Sequence, residues 1–565
     1  MSAGSSGGEA TERTPLLRRS DNGDGSGGEQ GRDIAMPPLS RLAPICVAIW
    51  VPVFVASLDS TIVATLVGSV SSSFNRSEQA AWLGSSYLLS VCCFTPIYGR
   101  LCDIMGRKYA MLLALSFFSA GNLLCGLAPS MEILIAARAI AGAGGGGLTT
   151  CTSTILSDII PLRNRGLYQG LTNIIYGLGA GLGGPMGGLL NDTWGWRNAF
   201  LVQMPFLILS LALCLFIIPM GPKIKPDGQM LDREAEEEPS IFEKLKTIDV
   251  IGSLTLVGFV GSILFSLSSM SADDRTIDEP IVWGGLVFGT VSGVLFVFVE
   301  TKVARSPILP MKLLTSRTGA AVAICNLTQS ITNFAFLYNY PLVLQAVRLE
   351  SASKAGLHLI PNSIMLSIGS VMAGLYMRKT GYYHRYNVFS AALIVVSMSW
   401  ILLLSPKTPE WITYAAVVPT GFGFASVLTC TLLALINTVP RSEIAVATGV
   451  SYLFRTTGQV VGVAVSGAIL QNSLKHELRK RIKGAGAEEL ITKIRHQSSI
   501  IPQLAKAQQK AAIRSYDVSL KHAFFFALCS SLITLLATYM MENLKLPEVG
   551  NKPLQASEEE EATQS

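Results

Sequence analysis

Three ionisable residues stand inside long apolar stretches. Asp59 lies in Val55-Ala-Ser-Leu-Asp59-Ser-Thr-Ile-Val-Ala64, Arg138 in Ile135-Ala-Ala-Arg138-Ala-Ile-Ala-Gly142, and Arg455 in Phe454-Arg455-Thr-Thr-Gly458. A charge held at membrane depth is costly and marks a path for an ion or a substrate. Asp59 can take up and release a proton, whereas an arginine keeps its charge. At 1.5 Å rise per residue, Asp59 lies roughly 24 Å along its helix, and Arg138 roughly 10 Å into a helix entering from the opposite side. The two share a depth, so a charge pair or proton-linked switch between them is expected. Arg455 sits mid-stretch and is expected to face a cavity. Asn339, Gln345, His358 and Asn437 are further candidates for that cavity, and histidine is the side chain that titrates near neutral pH.

Helices crossing a bilayer must position these groups. Half of the 565 residues are hydrophobic and only 15% are charged, against about 25% charged in soluble proteins. A crossing needs roughly 20 apolar residues, and fourteen such stretches can be marked. The fold class expected is all-α integral membrane. Residues 1–41 form a polar, disordered cytosolic tail and 42–220 a six-helix half. A cytosolic loop at 221–247 leads to two inserted helices at 248–300. Residues 301–542 form a second six-helix half with a long outer loop at 471–520, and 543–565 an acidic cytosolic tail. The net charge of +6 is scattered, which argues against a nucleic-acid partner. The cysteines fall almost all inside apolar stretches, unlike a disulfide framework.

Lys and Arg concentrate in the short loops on one side, at Arg100, Arg107 and Lys108, at Arg163 and Arg165, and at Arg378, Lys379 and Arg385. The positive-inside rule makes that side cytosolic. Sequons at Asn75 and Asn191 then fall outside, as candidate glycosylation sites. Segment 471–520 is basic although it is placed outside, and long loops follow the rule weakly. It reads as an amphipathic helix with His476, Leu478 and Ile482 opposing Lys475, Arg479 and Lys483. The chain also repeats itself: Gly99…Gly106 follows the second stretch and Gly374…Gly381 the tenth, each with glycines seven apart beside basic residues. Duplicated halves are typical of transporters that rock around a central site.

Gly99-Arg-Leu-Cys-Asp103-Ile-Met-Gly106-Arg107-Lys108 resembles the signature loop of the major facilitator superfamily, in which Asp103 would latch the cytosolic side against an arginine or a helix end. Leu58-Asp59-Ser-Thr-Ile-Val63 resembles a first-span motif of the fourteen-span drug:proton antiporter branch, although Leu66-Val67-Gly68 replaces the usual Ala-Leu-Pro. Gly177-Leu-Gly-Ala-Gly181-Leu-Gly-Gly184-Pro185-Met-Gly-Gly188 resembles the antiporter motif. Its small residues permit close helix packing, and Pro185 removes a helix hydrogen bond and is expected to bend the helix. The first six helices, with Trp82-Leu-Gly-Ser-Ser-Tyr87 and Phe94-Thr-Pro96, are most similar to fungal vacuolar basic amino-acid transporters.

The resemblance implies a major facilitator fold of fourteen helices and a proton-coupled antiporter. Its cargo would be basic amino acids moved from cytosol into the vacuole, with the proton gradient as energy source and no cofactor. Asp59, Arg138 and Arg455 would carry transport and coupling, and a cation and a proton would compete for Asp59. Glu12-Arg-Thr-Pro-Leu16-Leu17 fits a dileucine signal read by a sorting adaptor, in keeping with a vacuolar membrane. The same fold could instead export drugs at the plasma membrane, or serve as a non-transporting nutrient sensor or a channel. Two G-x-G-x-x-G matches, at Gly142–Gly147 and Gly179–Gly184, lie inside apolar stretches without the strand a dinucleotide site requires. The scattered histidines have no metal-ligand spacing, and no constellation supports an enzyme.

Overall fold

The computed structural model describes residues 38–74, 76, 79, 82–218, 249–272, 278–304, 309, 311–350, 352–440, 443–484, 486–496 and 498–546. The dileucine residues Glu12, Leu16 and Leu17, the sequon residue Asn75 and loop 221–247 lie outside the described residues. The first half comprises α1 (Leu39–Phe74), α2 (Trp82–Met105), α3 (Arg107–Leu127), α4 (Met131–Ile159), α5 (Leu162–Trp194), and the broken pair α6 (Trp196–Leu201) and α7 (Met204–Ile217). Next come α8 (Val250–Ala272) and α9 (Pro280–Lys302). The second half comprises α10 (Met311–Thr315), α11 (Arg317–Leu342), α12 (Ala352–Leu357), α13 (Ile360–Thr380), α14 (His384–Leu402), α15 (Glu410–Ala416), α16 (Val418–Ile436), α17 (Ile444–Arg481), α18 (Ala487–His496) and α19 (Lys506–Met540).

Among the described residues, 13 segments are long and apolar enough to cross a membrane. Helix α5 is as long, at 33 residues, but glycines and amides lower its hydropathy. It packs between α1 and α13, where close approach matters more than greasiness. With it, the described helices are consistent with the fourteen crossings expected from the sequence. It is an all-α, multi-pass membrane protein.

The glycine repeat appears as matched geometry. Gly106 takes φ +87° between α2 and α3, and Gly381 takes φ +75° after α13, a backbone region open to glycine at little cost. The first glycine of each pair sits where the two halves meet. A Cβ on Gly99 would lie 2.8 Å from Ala445 O, and one on Gly374 2.5 Å from the carbonyl carbon of Gly166. Both contacts lie at the end carrying loop 99–108, called here the motif end. Helix α8 fills the groove between α2 and α17, with Phe265 5.1 Å from Trp82 between ring centroids and Gly261 beside Cys93. Phe288, Val291, Val294 and Phe298 leave the outer face of α9 apolar and exposed.

Two helices outrun the expected crossings. Helix α17 continues to Arg481, and α19 begins at Lys506, well before the start expected near residue 522. An apolar stripe at four-residue spacing, Leu470, Leu474, Leu478 and Ile482, carries α17 onward. It packs with Ile491, Ile494, Ile501, Ala512 and Tyr516 at one end of the large core that runs through the second half. Tyr516 donates to Ile494 O at 2.9 Å and closes the cap. His476, expected on the apolar face, is exposed instead, because it stands two residues from Leu474 and Leu478 rather than three or four. Helix α17 starts beside Gly99, so segment 471–520 caps the end opposite the motif loop.

Candidate functional site

The first site lies inside the first half. Arg138 Nη1 donates to Asp59 Oδ2 at 2.7 Å, with the side chains 1% and 0% exposed. The depth matching expected from sequence is thus realised as a direct pair. Arg138 Nε also donates to Leu83 O at 3.4 Å, and its guanidinium lies 4.5 Å from the Tyr87 ring centroid. The remaining carboxylate oxygen, Oδ1, accepts from Gln203 Nε2 at 3.3 Å. Four elements therefore converge: α1, α2, α4 and the break between α6 and α7.

Local sequence explains this convergence. In α4, Gly142 and Gly145 both face Tyr87, and a Cβ on Gly142 would overlap its carbonyl oxygen. The glycine run brings α2 close enough for the Tyr87 ring to cover Arg138. Gln203 is the N-cap of α7, with a proline in that helix's first turn. The break turns its amide inward, where it also donates to Ala199 O at 3.1 Å. Sequence reasoning missed Gln203, although Gln203-Met-Pro205 in an apolar stretch was an available signal.

The antiporter motif divides its work by face. Gly179, Gly183 and Gly187, four residues apart, lie against α1, and a Cβ on Gly179 would stand 2.5 Å from Phe54 O. The motif residues singled out from sequence lie off that seam: Gly181 and Gly188 meet nothing within 4 Å, and Gly184 meets only Thr65 at 3.7 Å. Helix α5 is continuous through Pro185.

At the motif end, Arg107 Nε donates to Asp158 Oδ2 at 2.6 Å. Asp103 lies between Arg107, at 3.6 Å, and Arg100, at 3.9 Å. Of the two partners considered for Asp103, the structure uses arginine. Lys108 forms no ion pair among the described residues. The halves are tightest here and part along α5. A Cβ on Gly166 would stand 3.0 Å from Gly374, one on Gly170 3.1 Å from Val371, and one on Gly177 3.7 Å from Ser367.

A cavity lies at the junction of the halves, lined by Gln169 and Asn173 of α5, Asn326 of α11, Leu428 and Leu432 of α16, and Ser451, Tyr452 and Arg455 of α17. Hydrogen bonds cross the junction between Ser153 and Tyr452 at 2.8 Å and from Asn173 to Ser370 at 2.7 Å. Asn326 donates to Ser451 at 3.0 Å and accepts from Thr431 at 3.3 Å. Arg455 faces the cavity as expected.

The other cavity candidates are dispersed. Asn339 is buried and joins α11 to α17 by donating to Ser466 Oγ at 2.9 Å. Gln345 stands in the π-turn Val343–Val347. His358 is fully buried, stacked on Tyr414 with ring centroids 3.8 Å apart. Asn437 caps α16 at the motif end. None lines the cavity, because each contributes to helix packing or a helix end. Asn191 lies in the last turn of α5, hydrogen-bonded to Asp192 at 3.1 Å.

Comparison with known proteins agrees with this architecture. Residues 49–463 match the Major Facilitator Superfamily. The chain is 36% identical over 481 residues to the Multidrug resistance protein fnx1 of Schizosaccharomyces pombe, covering 84% of this chain and 88% of that protein. It is 33% identical over 461 residues to Vacuolar basic amino acid transporter 1 of Saccharomyces cerevisiae, covering 77% and 79%. Among solved structures, the proton:xylose symporter XylE shares the fold, with a TM-score of 0.56 at 13% identity over 90% of this chain and 98% of that one. The chain belongs to the Major Facilitator Superfamily, as a membrane transporter of small molecules and not an enzyme.

Proposed function

We propose that the chain moves basic amino acids from the cytosol into the fungal vacuole in exchange for lumenal protons. The observation that carries the coupling is the buried Asp59–Arg138 pair, 2.7 Å apart. Taking up a proton removes the charge of Asp59 and weakens its hold on Arg138. Helix α1 is seamed to α5 through Gly179, Gly183 and Gly187, and the other end of α5 meets α13 at Gly166 and Gly374. Protonation in the first half thus has a mechanical route to the contact between the halves. In this reading the motif end faces the cytosol and is closed, and the sequons Asn75 and Asn191 face the lumen. The dileucine signal recruits a sorting adaptor. Coupling needs only the gradient and no cofactor. The substrate assignment is supported by the similarity to a vacuolar basic amino acid transporter.

The test is uptake of labelled lysine by proteoliposomes of the purified protein with an acidic interior. Uptake is expected to collapse with a protonophore, and uptake indifferent to the gradient would exclude the coupling. A second reading, drug export at the plasma membrane, is favoured by the 36% identity to a protein named for multidrug resistance. Surface location of a tagged chain, with drug sensitivity on its deletion, would select that reading.

A further inference from the structure

We infer that Arg455 anchors the carboxylate of the substrate, so that a molecule must bear a carboxylate to be carried. This rests on the amino-acid reading above and adds to it the group that is recognised. Arg455 is half-buried on α17 in the wall of the cavity. Its guanidinium lies 5.3 Å from the Tyr452 ring centroid. Among the described residues, no carboxylate lies within ion-pair distance of it, and none lines the cavity.

The neighbouring polar groups cannot supply the missing charge. Asn326, Ser451 and Tyr452 are neutral and already bonded to protein partners. Asp59 is fully buried and held by Arg138 and Gln203. The cavity therefore offers one fixed positive charge. A free cation gains nothing there. A carboxylate fits the planar guanidinium with two parallel hydrogen bonds, the strongest pairing available to such a group. A zwitterionic amino acid with a cationic side chain carries that anion with it, while the same molecule without its carboxylate meets an uncompensated like charge. Carboxylate capture thus reconciles a cationic cargo with a cationic cavity, and it sets amino acids apart from cationic drugs.

The test uses wild-type protein in proteoliposomes, with labelled lysine as cargo and unlabelled lysine, lysinamide and cadaverine as competitors. Lysinamide and cadaverine keep the side-chain amine and lack the carboxylate. Both are expected to compete about ten- to a hundredfold less well than lysine. Arg455→Gln is expected to raise the half-saturating lysine concentration by a similar factor and to abolish the preference for lysine over lysinamide. Arg455→Lys, which keeps the charge but loses the fork, should restore part of that preference. A role in packing alone would lower uptake without changing the order of competitors. Equal competition by lysine, lysinamide and cadaverine on wild-type protein overturns the inference, as does a lysine preference retained in Arg455→Gln. Lysine uptake without carboxylate preference defeats this inference alone. Wild-type protein that takes up no amino acid defeats the proposed function and this inference with it.

Discussion

Replacing Asp59 by asparagine removes one charge from a pair that solvent does not reach. Arg138 is 1% exposed, and its remaining partners are the Leu83 carbonyl at 3.4 Å and the Tyr87 ring at 4.5 Å. Neither cancels a full charge. Breaking a buried pair from one side costs about 3–5 kcal/mol. The amide introduced by Asp59→Asn would still accept a hydrogen bond from Arg138, so the expected loss lies at the lower end, about 3 kcal/mol. Arg138→Gln leaves the buried carboxylate without its charged partner, so it too is destabilised. The double variant Asp59→Asn/Arg138→Gln removes both charges and restores most of the stability. The assay is the fraction of detergent-purified protein that stays monodisperse after heating. In proteoliposomes, Asp59→Asn is expected to retain lysine–lysine exchange and to lose acceleration by the proton gradient. An Asp59→Asn protein as heat-stable as wild type, or a double variant no better than that single one, would refute the electrostatic reasoning. Gradient-driven uptake left intact would refute the coupling role.

Four further substitutions probe the framework. Gly183→Val drives a branched side chain into Thr61 and Leu58 of α1, overpacking that costs about 1–3 kcal/mol or more. Gly181→Val, on a face with nothing within 4 Å, should express and purify like wild type, and size-exclusion profiles compare the two. Gly374→Val forces α13 off Gly166 and should slow lysine uptake at least about tenfold at unchanged protein level, because the motif end no longer closes. Leu478→Ala opens a void in the cap core, where Leu478 is fully buried, at a cost of about 2–5 kcal/mol locally. Protease should then cleave between α17 and α19 faster than in wild type, with the membrane portion intact.

Depth along a helix is linear in residue number, so the Asp59–Arg138 pairing was legible in the sequence. Gln203 was not, because its contact depends on how the chain turns between α6 and α7. The same distinction governs the antiporter motif. Its glycines form two interleaved sets, and spacing alone does not say whether Gly179, Gly183 and Gly187 or Gly181, Gly184 and Gly188 face α1. The cavity was least legible. Gln169, Asn173 and Asn326 sit on helices whose apolar content marks a crossing but not which face turns to the centre. Asn339, by type an equal candidate, is spent on a bond to Ser466. Helices α17 and α19 exceeded expectation because a hydropathy window ends where charges begin. The Leu470–Ile482 stripe instead continues by packing on the cap.

The positions of these features argue for one path of coupling. The proton-binding candidate lies wholly within the first half, while Arg455 belongs to the second, so the two do not compete for one side chain in this state. The competition for Asp59 expected from sequence would require the pair to open first. In the proposed antiport, coupling in the closed-motif state would instead pass through helix position. The α1–α5 glycine seam, 2.5 Å from backbone to a would-be Cβ at Gly179, leaves α1 little freedom to move without α5. Helix α5 in turn carries both Asn173, which reaches Ser370 of the second half at 2.7 Å, and Gly166 at the closed contact. In the proposed antiport, a displacement starting at Asp59 would therefore reach the cavity wall and the motif-end closure through the same helix. This makes the glycine seam, rather than the charged loop Gly99–Lys108, the part of the chain on which proton and substrate would act together.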